Sequence, residues 1–410
     1  MVAGLLAASA ARGQPRRDPA AVLEQARARL QAMARNLEKY VCTETVDRSY
    51  FQRAESSHLV STDRVRLEVS LAQGRELHSW PGATRFDARD VDALIRNGPV
   101  STGAFGGYLA SVFEQPAVTF EYAGEQTANG RAMFEYRYRV PVEASRFEVR
   151  AATAWRPAAY EGSFQIDPES LELTQLMVRT RELPAGTGFG KASTALEYQR
   201  VHIGDSDVVL PRHSQLDIVM DEGREARNVT TFSKCREYQA ESAISFDAPA
   251  GTESTAAREG GRGRVVLPIG LPVVLALMDP IDSATSAAGD EIAAKVVKPV
   301  RRAGSAEVLI PAGAIARGRI RRVEHHLQPA PYFLVAIAFN RVEWQGSVSP
   351  FAARSEPDPV LVKELDANLA LRETGFRFWG VGTFLWRTKK SSTIIPAGFE
   401  SNWFTLVAAR

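Results

Sequence analysis

The stretch RVRLEVSL at residues 64–71 alternates polar and apolar side chains with a period of two. Residues 134–140, FEYRYRV, repeat that alternation with mostly aromatic side chains on one parity. Because successive side chains of a β-strand point to opposite faces, this alternation predicts strands with one buried and one solvent-facing side. Such strands are typical of antiparallel sheets, and further ones are predicted at residues 194–204, 207–220 and 227–238.

An amphipathic helix is predicted before these strands. Asp18 can cap its start, and Pro19 suits its first turn. One apolar stripe follows at helical spacing, formed by Val22, Leu23, Ala26, Leu30, Met33 and Leu37. The stripe needs a surface to pack on, and the following sheet is the simplest one. We therefore expect a mainly β chain whose first domain is α+β, an open antiparallel half-barrel with helices on one face.

A helical interlude interrupts the predicted strands. Residues 87–97 predict a short helix that Gly98 stops, and a second short helix is predicted through Leu109 and Phe113. The loop between them reads STGAFGG, and its candidate lid residues are Ser101, Gly103, Phe105, Gly106 and Gly107. It lacks the lysine of a phosphate-binding loop. Two interpretations stay open, a lid or hinge over the open face of the sheet and a plain connection.

The two cysteines, Cys42 and Cys235, enclose the predicted strands of the first domain. A bond between them would close a very long loop, for which chain-entropy arithmetic gives at most about 5 kcal/mol. Such bonds persist in exported proteins, so we predict a disulfide formed in an oxidising compartment. Two buried free thiols, or one reactive thiol, are the alternatives.

Residues 1–14 read MVAGLLAASAARGQ. The apolar start and the Ala8-Ser9-Ala10 pattern predict the remnant of an export signal, with an Ala-rich disordered start as the alternative. We accordingly expect the periplasm or the periphery of the outer membrane. The net charge of +2, from 50 basic and 48 acidic side chains, argues against a nucleic-acid partner. The longest apolar run is too short for a transmembrane helix.

Residues 248–264 are rich in Gly, Ala, Thr, Glu and Arg, which predicts a linker. The first domain would then span residues 15–247, and a second domain, a small β-barrel, would span residues 265–410. One strand of the second domain should be buried on one face only, with its apolar side chains at Phe333, Val335, Ile337 and Phe339. Aromatic residues on both parities between 376 and 386 predict a strand buried on both faces in the core of the barrel, with an aromatic surface that contacts a membrane or a partner as the alternative.

The sequence contains no motif that matches a catalytic, cofactor-binding or metal-binding site. Its six histidines lack the spacing of metal ligands, and the adjacent His325 and His326 should point to opposite faces of a strand. We therefore predict no catalytic residue, no cofactor and no metal.

Two resemblances rest on these features. The initial helix, the segment YVCTET at residues 40–45 and the antiparallel meander together resemble periplasmic lipoprotein carriers of the LolA/LolB type. That resemblance implies an acyl chain or a peptide held in the concave apolar face. Residues 267–270, 282–285, 288–290 and 310–318 are similar to the start of the small β-barrel in TrbI-type conjugation proteins, and only the barrel is implied. The whole chain looks like an exported protein of Gram-negative-type bacteria.

Three hypotheses about function follow. The first is a non-enzymatic cell-envelope protein that holds a lipid, an acyl chain or a partner segment in the concave sheet. The second is a structural component of an envelope assembly that docks a protein partner through the C-terminal barrel. The third is an enzyme that uses carboxylates outside any motif.

Overall fold

The computed structural model describes residues 17–53, 57–83, 86, 91–95, 98–99, 102–128, 130–145, 147–151, 154–220, 223–238, 267–328, 330–356 and 381–407. The predicted export signal, the predicted linker and the aromatic residues between 376 and 380 lie outside these ranges. The domain boundaries drawn from the sequence therefore stay a prediction.

The helix predicted near the amino terminus is present as α1, Pro19–Leu37. Asp18 caps it by accepting a hydrogen bond from the Ala20 amide at 3.2 Å. The helix buries a single stripe, consisting of Val22, Ala26, Leu30, Ala34 and Leu37. The hydroxyl of Tyr136 donates to the Pro19 carbonyl at 2.8 Å and so joins the start of the helix to the sheet.

The strands before residue 238 make up the first part of the fold. They are β1 (Tyr40–Arg53), β2 (Ser57–Ala72), β3 (Arg75–Ser79), β4 (Thr119–Ala128), β5 (Arg131–Val140), β6 (Glu148–Ala151), β7 (Ala154–Pro157), β8 (Ala159–Ile166), β9 (Leu173–Glu182), β10 (Phe189–Ile203), β11 (Ser206–Met220) and β12 (Arg224–Glu237). All but β6 and β7 form one antiparallel sheet in the order β3-β2-β1-β12-β11-β10-β9-β8-β5-β4, called the N-terminal sheet below. The predicted open antiparallel sheet is confirmed, and β6 pairs with β7 as a separate hairpin.

Two short helices, α2 (Val91–Leu94) and α3 (Gly107–Phe113), follow β3, and a 3-10 turn, Val142–Ala144, follows β5. The predicted helix through Leu109 and Phe113 is confirmed as α3. Of the helix predicted at 87–97, α2 covers Val91–Leu94, and Ile95 already lies beyond its end. The described helices include none with both the length and the apolar character needed to cross a bilayer.

The main core lies between the concave face of the N-terminal sheet, α1 and α3. Its centre is aromatic, because the ring of Phe164 lies 5.0 Å from that of Phe113 and 5.3 Å from that of Tyr136. A disulfide joins Cys42 on β1 to Cys235 on β12 at the same end of the sheet. Cys42 belongs to this core, and Cys235 packs at its edge.

The polar side of β2 is more buried than its alternation predicted. Glu68 and Ser70 are both buried, although both lie on the side expected to face solvent. Glu68 pairs with Arg236 at 3.0 Å, and the Ser70 hydroxyl donates to the Tyr40 carbonyl at 3.1 Å. The alternation of polar and apolar residues predicted the strand correctly. It does not predict which polar side chains are buried by residues that are distant in sequence.

The strands after residue 267 make up the second part. They are β13 (Pro272–Leu277), β14 (Ile281–Asp282), β15 (Glu291–Val296), β16 (Val300–Arg301), β17 (Val308–Ile310), β18 (Ile315–His326), β19 (Tyr332–Trp344), β20 (Ser347–Pro350), β21 (Ala352–Ser355), β22 (Gly382–Arg387), β23 (Ile394–Ile395) and β24 (Glu400–Leu406). The pairings β24-β13-β15-β18-β19 continue through β20 on β19 and β21 on β24. Because β20 and β21 are consecutive and change partner at Phe351, this C-terminal sheet is barrel-like rather than a regular closed barrel.

Two predictions for the C-terminal sheet were wrong in burial. The first half of β19 is buried on both faces, since Tyr332 and Leu334 pack with Leu385 of β22 on the side expected to be polar. Conversely, the described part of the segment predicted to be doubly buried, β22, leaves Phe384 and Trp386 only partly buried.

The two sheets are joined by main-chain pairing, at a contact called the seam below. Strand β18 pairs with β2 so that Glu324 lies opposite Asp63 and His326 opposite Ser61. Farther along β2, the amide of Arg66 donates to the Ala288 carbonyl at 2.8 Å. The seam thus places side chains of the C-terminal sheet beside the concave face of the N-terminal sheet.

Candidate ligand-binding cavity

A cavity of about 720 Å³ opens on the concave face of the N-terminal sheet, beside the part that α1 and α3 cover. Its walls come from β1, β2 and β9–β12, from the β6–β7 hairpin, from β18, and from Val91, Ile95, Gly98, Pro99 and Thr102. Cavities of a few hundred to a thousand Å³ are typical of small-molecule sites. We therefore treat it as the candidate functional site.

The floor of the cavity is apolar because alternate residues of three neighbouring strands face it. These residues include Val178 on β9, Ala192 on β10, and Leu216 and Ile218 on β11. The strand register sets Ala192 directly beside Ile218. Ala192, Leu216 and Ile218 form a small cluster of their own, separate from the main core. They are buried side chains that the main core does not use.

The β6–β7 hairpin forms one wall. Phe147, just before β6, anchors it, since its ring lies 6.1 Å from that of Tyr108 and 5.9 Å from that of Tyr160. Val149 and Trp155 of the hairpin also line the cavity. Trp155 is 46% exposed, so this wall carries a large apolar side chain at the solvent boundary.

The cavity becomes charged where it reaches the seam. Arg48 binds Asp63 in a bidentate pair, with Nε–Oδ1 and Nη2–Oδ2 distances of 2.6 and 2.8 Å. The Tyr50 hydroxyl donates to the same carboxylate at 3.2 Å. Both members of the pair are buried, with 3% and 8% of their side chains exposed. Charges survive such burial only when they are paired and hydrogen-bonded.

Strand β18 adds a second buried pair from the C-terminal sheet. The guanidinium of Arg322 binds both carboxylate oxygens of Glu324, with Nη2–Oε2 at 2.9 Å. The Nε2 atom of His326 lies 2.9 Å from the same carboxylate. We call Arg48, Tyr50, Asp63, Arg322, Glu324 and His326 the seam network. All of these except Arg48 line the cavity.

The charge states of the seam network follow from burial and pairing. Burial by itself disfavours a charged Glu324, but Arg322 and His326 outweigh it and hold the pKa of this carboxyl at about 2. Burial raises the pKa of Asp63 and Arg48 opposes that rise, while the bidentate geometry is that of an ionised pair. Burial also raises the pKa of Tyr50 above its ordinary value of 10. At neutral pH the network therefore holds two cationic arginines, two carboxylates and a protonated tyrosine.

The described part of the predicted lid loop is bound to one partly buried carboxyl group, that of Glu76. The amides of Gly103, Phe105, Gly106 and Gly107 donate to the carboxylate of Glu76, at 2.6, 2.6, 2.9 and 3.3 Å. The glycine-rich loop thus uses its amides to hold a carboxyl group of the protein itself, whose pKa burial raises.

The two ends of this loop differ in their surroundings. The side chain of Phe105 is fully buried in the main core, whereas Thr102 and the preceding Pro99 line the cavity. Asn228 on β12 donates to the Pro99 carbonyl at 3.0 Å and fixes that end to the sheet. Ser101 lies outside the described residues. The role of the loop as a lid stays a prediction.

A second buried polar cluster supports the glycine-rich loop. The Nε2 atom of His78 lies 3.2 Å from a carboxylate oxygen of Glu44. Burial lowers the pKa of His78, but Glu44 and Glu76 outweigh it, so the pKa is raised above its ordinary 6.5. None of these three residues is among those that line the cavity.

The two adjacent histidines have different surroundings. His325 stacks on Phe333 with ring centroids 4.1 Å apart, and His326 stacks on Tyr332 at 4.5 Å. His326 lines the cavity, and His325 is not among the lining residues. Within the described ranges, no group of three His, Cys, Asp or Glu side chains could hold a metal ion.

The seam network was not predicted from the sequence, although the positions of Arg48 and Asp63 in their strands indicated that both side chains are buried. Arg48 on β1 has the same parity as the buried Cys42 and Val46, and Asp63 on β2 has the same parity as Val65. A charged residue on the core parity of a strand indicates a buried partner. Glu324 shares the parity of the buried Ala316 and Ile320, but a register shift after Ile320 means that parity does not identify the face of β18 on which Glu324 lies.

Comparisons with known proteins give similarity in fold at low identity. No family model and no curated protein matches the sequence. A domain assigned to outer membrane lipoprotein sorting, from Vibrio parahaemolyticus, is 9% identical at a TM-score of 0.29, over 53% of this chain and 92% of that one. A DUF1329 family protein from Desulfovibrio piger is 10% identical at a TM-score of 0.27, over 54% and 96%.

A further solved structure is similar over a shorter range. ComB10 of the Com type IV secretion system of Helicobacter pylori is 12% identical at a TM-score of 0.20, over 35% of this chain and 90% of that one. These values are too low to assign the chain to a family.

Proposed function

We propose that this protein is a non-enzymatic binding protein of the cell envelope that holds the apolar chain of a lipid-like ligand in the cavity. The observation that carries the proposal is the apolar floor of Val178, Ala192, Leu216 and Ile218 beneath about 720 Å³ of open space. Side chains on the core parity of a sheet are normally covered by other elements. Here α1 and α3 cover the neighbouring region instead.

The energetics favour a hydrocarbon chain as the occupant. Transfer of each CH₂ group from water to an apolar site is worth about 0.8 kcal/mol. An apolar wall also offers water few of the hydrogen bonds that it needs. A chain of several CH₂ groups therefore gains more from this floor than ordered water would.

The disulfide supports a location outside the cytoplasm, because such bonds are kept in oxidising compartments. The periplasm, or the periphery of the outer membrane, is the compartment that we propose. A carrier there would shield an apolar chain from water while it moves between membranes.

The test uses two matched double variants. Ala192→Trp/Ile218→Trp puts two indoles into the cavity, whereas Lys191→Trp/Val219→Trp puts them on the opposite face of the same strands, where the register also pairs the two positions. Binding of the fluorescent apolar probe 1-N-phenylnaphthylamine would be titrated for the wild type and both variants.

We expect the wild type and the outer variant to bind the probe alike, and the cavity variant to lose at least about tenfold in affinity, which equals about 1.4 kcal/mol. Circular dichroism would establish that both variants are folded. A wild type that fails to bind the probe, or a cavity variant that binds it as well as the wild type, contradicts the proposal.

A further inference from the structure

The polar end of the cavity carries charges that already neutralise one another. Arg48 pairs with Asp63, and Arg322 pairs with Glu324, within one network that the pairing of β2 with β18 assembles. The two pairs come from different sheets, so this end of the cavity depends on the C-terminal part of the chain. A ligand whose tail lies on the apolar floor can place its head group against this network.

The balance of charge restricts which head group fits. An anionic head would approach the Asp63 and Glu324 carboxylates, and a cationic head would approach Arg322. In either case one charge would be added to a buried, balanced network without a new partner. Adding an uncompensated charge to such a site costs several kcal/mol.

An uncharged polar head meets no such penalty. The lining includes hydroxyl groups that can give and accept hydrogen bonds, on Tyr50, Ser61 and Thr62, together with the ring of His326. A head group with its own hydroxyls can exchange hydrogen bonds with these groups. It can also donate to the carboxylates while leaving both ion pairs in place.

We propose that the ligand is a single-chain amphiphile with an uncharged, hydroxyl-bearing head, such as a monoacylglycerol, and that the seam network receives this head. This inference rests on the proposed function. It assigns the choice of head group to side chains of both sheets, with Glu324 of the C-terminal sheet as a determinant of specificity.

The experiment compares three amphiphiles with the same dodecyl-length chain, which are monolaurin, laurate and dodecyltrimethylammonium. Each would displace 1-N-phenylnaphthylamine from the full-length protein at neutral pH, below the critical micelle concentration. We expect monolaurin to bind at least about tenfold more tightly than either ion, as the cost of an unpaired buried charge requires.

The variant Glu324→Gln sharpens the test, because it leaves Arg322 without its carboxylate. We expect the preference for monolaurin over laurate to fall by about tenfold or to reverse, and binding of dodecyltrimethylammonium to weaken further. The matched control is Asp47→Asn on the outer face of β1, where Asp47 pairs with Arg64. The control should keep the preference of the wild type.

The outcomes separate this inference from the proposed function. If the probe binds and laurate competes as well as monolaurin, the head-group inference is wrong while the binding function stands. The same holds if Glu324→Gln, folded by circular dichroism, leaves the preference unchanged. If neither the probe nor any of the amphiphiles binds, the proposed function itself fails. An exposed cation at the rim, Arg224, would explain a preference for laurate.

Discussion

The two ends of the concave face use the same strands for opposite purposes. At the filled end, Leu176 on β9 lies beside Leu196 on β10, and both belong to the core beneath the helices. Two residues farther along, Val178, which still belongs to that core, lies beside Thr194, and both line the cavity. The filled end is closed by aromatic rings and by α1 and α3, whereas the floor of the cavity consists of the aliphatic side chains of Val178, Ala192, Leu216 and Ile218.

The difference shows what creates the cavity. A long, twisted sheet offers more concave surface than one helix of 19 residues and a short second helix can cover. Where their cover stops, the strands continue with the same parity and their apolar side chains stay in place. The cavity is therefore a direct consequence of strand length, helix length and side-chain size.

The largest expected effect is on the free energy of unfolding, which a substitution at the filled end should lower more than one at the cavity end. Phe164→Ala removes a ring that packs against several others, and it should lower the free energy of unfolding by about 3 to 5 kcal/mol. Ile218→Ala should cost about 2 kcal/mol, at the low end of the range for a buried isoleucine, since its side chain lines the cavity and forfeits fewer contacts. Urea unfolding measures both. Equal losses would mean that the cavity end is packed like the core.

A second prediction concerns two ion pairs, at adjacent positions on opposite faces of β1 and β2. Asp63→Asn leaves the buried Arg48 charge without its partner and should cost about 3 kcal/mol or more. Asp47→Asn breaks the partly exposed pair with Arg64 and should cost less than about 1 kcal/mol. Urea unfolding at neutral pH provides the comparison. Similar costs for the two variants would show that the seam network is open to water.

The disulfide gives a third, smaller effect, which should lower stability without altering the cavity. Cys42→Ala/Cys235→Ala should lower the unfolding free energy by about 2 to 4 kcal/mol, because the unfolded chain regains the entropy of a long loop. Probe binding under native conditions should be unchanged, since the bond lies at the other end from the cavity. Loss of binding by a folded variant would contradict this separation of the two ends.

The last prediction concerns the loss of stability in acid. The pKa of Glu324 lies at about 2 in the folded protein against an ordinary 4.5, so its carboxylate stabilises the fold above that range. This contribution is lost as the pH falls from about 4.5 towards about 2. The stability gap between the wild type and Glu324→Gln should therefore narrow over that interval. A gap that stays constant would show that Glu324 is not ionised in the network.

The sequence predicted the elements of this fold better than their burial. The stripe of α1 and the alternation of β2 and β5 are local patterns, so their elements could be located without a structure. Glu68 and Tyr332 are buried by residues that are distant in sequence. A local sequence pattern contains no information about such contacts. The same limit applies to the site. The strand parity of Arg48 and Asp63 indicates that they are buried. Nothing near them in sequence indicates that Arg322 and Glu324 lie beside them.

The most direct test of the central claim, that the open end of the concave face holds one apolar chain, is native mass spectrometry. The full chain would be incubated with monolaurin and sprayed without detergent. We expect one bound molecule per chain for the wild type and for Lys191→Trp/Val219→Trp, and none for Ala192→Trp/Ile218→Trp. A wild type that carries no ligand, or a cavity variant that carries as much as the wild type, would contradict the account.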